Sequence, residues 1–326
     1  MAVRKIIALV MTLILFSPIV KAQEKPLVVV SLPSIASIIQ EALGESVEVV
    51  YLVPPGVEPH QYQLSPEQVS LLRRADVIVT TGHLPAELKI EELKKSGEIR
   101  GVVLGIKDYE SFGFRYLPER WYEGKSNPHG IWLDPKNALA IAKATEQSLV
   151  HLYPELSEEL NERIKIFETK IRAIEMAYAG ILKGKKAVVE LPSQQYALEW
   201  LGIEVIESIK PEAEIPAKSV DSLASVGADL VVYDEATPEN LKDASKKLSE
   251  RLGIPIANVT VLWVGKNYSQ ILVENARSIV KAMSKGKVTV VRESGGGVVK
   301  YSLVSLVVGV VVGIAIGVLI RKCPVL

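Results

Sequence analysis

The chain has 326 residues, 48% of them hydrophobic, and its 38 lysines and arginines are balanced by 38 aspartates and glutamates. That length supports about two domains with real cores. A zero net charge excludes a field that would favour nucleic acid or acidic polymers, and no basic stripe interleaved with aromatics is visible. Residues 1–22 read as a secretory signal: Arg4 and Lys5 form the charged start, residues 6–20 the apolar core, and Ala22 a small residue before cleavage. An uncleaved anchor is the alternative, although the apolar run is short for a span of about 20 residues.

Residues 27–31 (LVVVS) read as a buried strand, 34–43 as a helix ending at Gly44, and 47–52 as a second strand. A loop stiffened by Pro54, Pro55 and Pro59 then carries His60. A helix follows at once, with Ser65 as N-cap, Pro66 at N1 and Gln68 at N3, a capping-box pattern. Residues 76–80 and 102–104 are further strands, and 107–127 is aromatic and polar without a clear period, which reads as loop. Strands alternating with helices imply a parallel α/β sheet. Asp134 and Pro135 form an N-cap and N1 pair that opens another helix.

A longer helix is expected over residues 156–183, with Leu160, Ile164, Phe167, Ile171, Ile174, Tyr178 and Ile181 in one stripe. Such spacing usually means coiled-coil pairing. Here the run lies between two α/β blocks, so a spine on which both pack is the better reading. The second block places strands at residues 187–190, 203–206, 229–233 and within 254–263, with helices at 193–201, from 237 to Gly253, and at 267–284.

The implied division is a first lobe at 23–155, the linking helix at 156–183, a second lobe at 184–284, and a linker at 285–300. An apolar anchor follows at 301–320, then a tail at 321–326. Residues 303–320 carry no charge over a length that crosses a bilayer, and Arg321 and Lys322 place the tail inside. The single cysteine, Cys323, lies in that tail, so the external part has no disulfide.

In open parallel sheets, ligands sit beyond the carboxyl ends of the strands. His60, Glu190, Asp234 and Glu235 fall at such ends, His83 follows the strand ending at Thr80, and His129 precedes the Asp134 helix. Two imidazoles, His60 and His129, with one or two carboxylates suit zinc or manganese. Each residue also has an ordinary reading, as a polar loop side chain, a turn former or a carboxylate in solvent. No nucleophile–base pair or phosphate-cradling loop appears.

Residues 54–82, PPGVEPHQYQLSPEQVSLLRRADVIVTTG, resemble the histidine loop of the zinc and manganese solute-binding proteins of ABC importers. Residues 127–149, NPHGIWLDPKNALAIAKATEQSL, are similar to that family's second histidine motif, and the resemblance covers most of residues 25–284. It implies two parallel-sheet α/β lobes joined by one long rigid helix, with the metal held between them. It also implies capture of Zn2+ or Mn2+ and delivery to an ABC permease and its ATPase, by a monomeric binding protein rather than an enzyme.

By the same resemblance His60 and His129 stand at the first and second ligand positions, although Gly130 and Ile131 put one extra residue before Trp132. The third position falls on Leu191, so neighbouring Glu190 is substituted; the fourth falls near 258–260, where no carboxylate stands, so Asp234 is substituted. His83 and Glu235 are further candidates. The expected site is therefore His60, His129, Glu190 and Asp234. Competing readings are a binding protein for a metal chelate or corrinoid, and a surface metallohydrolase with Glu190 or Glu235 as base.

Overall fold

The computed structural model describes residues 24–121, 124–211 and 216–285. The expected signal at 1–22 and the apolar run at 301–320 lie outside them, and no helix among the described residues is long and apolar enough to cross a membrane.

Two four-stranded sheets form the frame. The first contains β1 (Leu27–Val30), β2 (Glu48–Tyr51), β3 (Val77–Val79) and β4 (Val102–Leu104) in the order β2-β1-β3-β4, every pair parallel. Its crossovers are helices: α1 (Pro33–Leu43), α2 (Pro66–Arg74) and α3 (Pro85–Lys95). The last was not foreseen, although Pro85 at N1 and Glu87 at N3 mark its start. The central strands β1 and β3 are rich in valine and buried on both faces, as the interior of a parallel sheet requires, while the edge strand β2 is part-exposed.

The stretch expected to be loop holds a short helix, α4 (Ile106–Glu110), and the two-residue strands β5 (Leu117–Pro118) and β6 (Ser126–Asn127), paired antiparallel. Asp108 caps α4 by accepting from Gly105 N at 2.8 Å, and buried Tyr109 donates its hydroxyl to Thr80 O at 2.9 Å. A helix of five residues is too short to show a period, which is why the pattern hid it.

Two helices then lead into the second half: α5 (Pro135–Leu152), capped by Asp134, and α6 (Ser157–Tyr178). The second sheet contains β7 (Lys186–Val189), β8 (Glu204–Ser208), β9 (Leu230–Tyr233) and β10 (Ile256–Asn258), ordered β10-β9-β7-β8 and parallel throughout. With it come α7 (Gln195–Glu199), α8 (Glu239–Leu252) and α9 (Tyr268–Lys285).

Helix α6 stops five residues short of the expected end. Ala179 leaves helical geometry and Gly180 turns at φ 69°, so Ile181 is exposed instead of extending the stripe. The stripe's first four members, Leu160, Ile164, Phe167 and Ile171, are buried. Phe167 faces Tyr268 of α9 with ring centroids 6.2 Å apart, while other parts of α6 pack on α1 and α5.

Alternation along the strands explains why one core serves both sheets. Val28, Val30, Val77 and Val79 of the first sheet share a cluster with Ala187, Val189, Leu230 and Val232 of the second and with the α6 stripe. The residues between them point the other way, as a period of two dictates. Val29 and Ile78 pack with Leu72 and Ile90 of α2 and α3, and Val188 and Val231 pack with Leu248 of α8. Polar ties join the halves as well: Trp132 donates Nε1–H to Val261 O at 2.9 Å, and Ser269 donates its hydroxyl to Glu41.

Candidate metal centre

The segment PPGVEPHQYQLSPEQV builds the first wall. His60 sits in a single 3-10 turn, Pro59–Gln61, and the capping box of α2 forms as its sequence predicts. Gln68 takes part in four bonds there. Its Oε1 accepts from Ser65 N and from the Tyr62 hydroxyl, its backbone N–H donates to Ser65 Oγ, and its Nε2 donates to Leu52 O. The turn carrying His60 is thereby tied to the end of the first sheet.

His83 comes from the loop between β3 and α3, and His129 from the segment between β6 and α5. The three rings converge: centroids are 5.5 Å apart for His60 and His83, 5.3 Å for His60 and His129, and 5.0 Å for His83 and His129. One ring nitrogen from each lies within 4.8 Å of the others.

Hydrogen bonds on the far side of each ring decide which nitrogen faces the group. Glu58 Oε1 accepts from His60 N at 3.2 Å and lies 2.8 Å from Nδ1, and this bond to His60 holds the Glu58 carboxyl below its ordinary value. A carboxylate only accepts, so Nδ1 carries the proton and the Nε2 lone pair is left over. That Nε2 is buried and without a hydrogen-bond partner. A buried imidazole nitrogen without a partner is costly unless something occupies it.

His83 reaches the same state by a longer chain. Thr81 Oγ1 donates to the buried Glu87 carboxylate at 2.8 Å, so at 3.1 Å it is placed to accept from His83 Nδ1–H. Burial, and then the neighbouring His60, push the His83 imidazole down to about 4, which keeps it neutral at physiological pH. For His129 the nearest acceptor is Asn127 Oδ1, 2.9 Å from His129 N and 3.1 Å from Nδ1, with the buried Glu119 carboxylate 4.0 Å from the same nitrogen. Asn127 Nδ2 faces two acceptors, Pro192 O and Gln195 Oε1, each at 2.8 Å, which fixes which end of the amide is oxygen. Three rings held by Nδ1–H bonds and presenting Nε2 inward form the pattern of a transition-metal site with its supporting partners.

The carboxylates expected from the second half are engaged elsewhere. Glu190 is fully buried; its oxygens accept from the Thr237 hydroxyl at 2.9 and 3.0 Å and from Asp234 N at 3.1 Å. Asp234 accepts from Ala236 N and Val261 N, both at 2.9 Å. Burial raises both carboxyls above their ordinary values. Glu235 is exposed and accepts from its neighbour Tyr233 at 2.6 Å. None of the three belongs to the histidine group. The residues that support the rings, Glu58, Glu87, Thr81 and Asn127, were not among those expected from the sequence. Glu87 had a usable signal, since an acidic residue at N3 behind a proline at N1 caps the helix that begins beside His83.

The family described as zinc-uptake complex component A, periplasmic (ZnuA), matches residues 28–282. The chain belongs to this family. It is 22% identical over 267 residues to the zinc-binding lipoprotein AdcA of Streptococcus pneumoniae, a match covering 74% of this chain but only 52% of AdcA. The chain thus spans about half the length of that curated relative. It is 25% identical over 236 residues to the metal ABC transporter substrate-binding lipoprotein SloC of Streptococcus mutans, covering 70% of this chain and 71% of SloC. Among solved structures, the periplasmic zinc-binding protein TroA from Treponema pallidum superposes with a TM-score of 0.62 at 21% identity, covering 79% of this chain and 99% of TroA. That likeness carries the fold.

Within this ZnuA-family chain, Leu191 precedes the 3-10 turn Pro192–Gln194, and Asn258 ends β10 with its Oδ1 accepting from Glu235 N at 3.1 Å. Among the described residues, the second half adds no histidine or carboxylate to the group that the first half brings together.

Proposed function

We propose that this chain is the extracytoplasmic substrate-binding component of an ABC metal importer, and that its cargo is Zn2+ held by His60, His83 and His129. The observation that carries the proposal is the convergence of three imidazoles, each ring tied at Nδ1, on a buried His60 Nε2 that has no partner. Zinc and similar ions favour imidazole nitrogen, whereas Mn2+ favours carboxylate oxygen, so this donor set speaks for zinc over manganese. The family match and the name of SloC support the transport context, with a permease and its ATPase as partners, and the name of AdcA supports zinc. In this reading the lobes work outside the cell, and residues 301–320 anchor them to the membrane.

A binding role is also favoured over hydrolysis. Of the two carboxylates a hydrolase could use as base, Glu190 accepts from the Thr237 hydroxyl and Asp234 N, Glu235 accepts from the Tyr233 hydroxyl, and neither belongs to the histidine group. Calorimetric titration of the purified full-length chain tests the reading. Tight one-to-one zinc binding is expected, weakened at least about tenfold by His60→Ala, His83→Ala or His129→Ala and little changed by Asp234→Asn. Unchanged affinity in all three histidine variants would sink the site.

A further inference from the structure

Among the described residues the second half offers no ligand atom to the histidine group, yet it holds the segment that carries one of the three rings. Asn127 is fully buried and every polar atom of its amide is committed. Its Oδ1 faces His129 N and Nδ1 in the first half, and its Nδ2 gives both hydrogens to Pro192 O and Gln195 Oε1 in the second. Its backbone oxygen accepts the Tyr196 hydroxyl at 2.7 Å, and that hydroxyl also accepts from Leu117 N at 2.9 Å, on the strand paired with Asn127. One residue later than His129, Gly130 turns at φ 74°, and a Cβ there would overlap Ser193 O. The loop bearing His129 is therefore pressed onto the segment containing Pro192 to Tyr196 and latched to it by three hydrogen bonds.

We infer that Asn127 is a positioning residue through which the second half, by way of Gln195 and Tyr196, sets the orientation and tautomer of the metal-binding His129. This rests on the zinc-site reading above and goes beyond it by naming what the second half contributes. The amide cannot rotate to accommodate a displaced imidazole without breaking bonds to Pro192 and Gln195. A shift of α7 relative to the first sheet is therefore felt at His129, while His60 and His83 keep their own supports in Glu58 and in Thr81 with Glu87. Seating of the second half thus tunes affinity through one ligand of the three.

The test uses the full-length chain and ionic zinc. Tyr196→Phe removes one latch bond and touches no imidazole, and it is expected to weaken zinc binding several-fold; Asn127→Ala is expected to weaken it about 10- to 100-fold. On a His129→Ala background, Tyr196→Phe should have no further effect, because its influence travels through that ring. A separate reading needs no metal: nitrogen chemical shifts of His129 should report the Nδ1–H form in the parent protein and a mixture in Asn127→Ala. Unchanged zinc affinity in Tyr196→Phe, or an equal loss with and without His129, would overturn the proposal. If the parent bound no zinc, the function would fail, and the metal-free tautomer would still decide the positioning role. Should Asn127→Ala fail to fold, Tyr196→Phe carries the same decision.

Discussion

His83 shows how a side chain's surroundings choose its chemistry. Burial and a neighbouring imidazole lower its value from 6.5 to about 4, so at neutral pH it offers a lone pair instead of a charge. The effect on stability has a definite sign. Between pH 6.5 and 4 the unfolded chain takes up a proton at this histidine and the folded chain does not, so stability is full above 6.5 and is lost as pH falls toward 4. Glu190 and Asp234, raised by burial, act in the opposite direction just above the ordinary carboxylate range. Urea unfolding of the metal-free protein at pH 7 and pH 4.5 should therefore show a smaller acid-induced loss in His83→Ala than in the parent. Zinc capture should also weaken on acidification, because protons compete for the same nitrogens.

Glu190 and Asp234 mark the limit of what is legible in the sequence. His60 and His129 stand in motifs whose prolines, caps and neighbours are local, so their positions are legible along the chain. Glu190 and Asp234 were equally legible as strand-end carboxylates, but their partners were not. Those partners include Thr237 and Val261, 47 and 27 residues further along, and pairing at that range depends on how β7, β9 and the loop after β10 come together. A strand end marks where a side chain is, and only the fold shows what has already bound it.

At the scale of elements, the start of α3 is where helix capping and the proposed zinc site coincide. Glu87 at N3 accepts from Thr81 N, His83 N and Leu84 N as well as from the Thr81 hydroxyl. Replacing it by alanine would strand several buried donors, and each such donor costs about 1–3 kcal/mol. Glu87→Ala is expected to lose more than about 3 kcal/mol in denaturant unfolding. Zinc affinity should fall with it, since His83 would lose the hydroxyl orientation that fixes its ring. A stability loss without any change in zinc affinity would show that the cap and the ligand are independent. The alternation of strands and helices was readable from hydrophobic runs and caps. The short α4, the two-residue strands and the early end of α6 were not, because elements of that length hold no period and Gly180 acts through its conformation.

Across the whole molecule, the α6 stripe and the inward faces of both sheets form one core. Phe167 is buried at its centre, where it meets Tyr268 of the second half. Phe167→Ala should cost about 3–5 kcal/mol. The loss should appear as an earlier single transition of the described region by both fluorescence and far-ultraviolet dichroism. Two separated transitions would mean that the halves unfold independently and that the shared core does not couple them.

The placement of all three histidines before α5 also has a consequence in time. His60 and His129 are 69 positions apart (129 − 60), and His83 lies between them. A chain folding from its N-terminus therefore has every imidazole of the group in hand before β7 has emerged. The segment that latches Asn127 arrives later. On the proposed reading, the chain order therefore separates the residues that supply donors from the later segment, Pro192 to Tyr196, that bonds to Asn127.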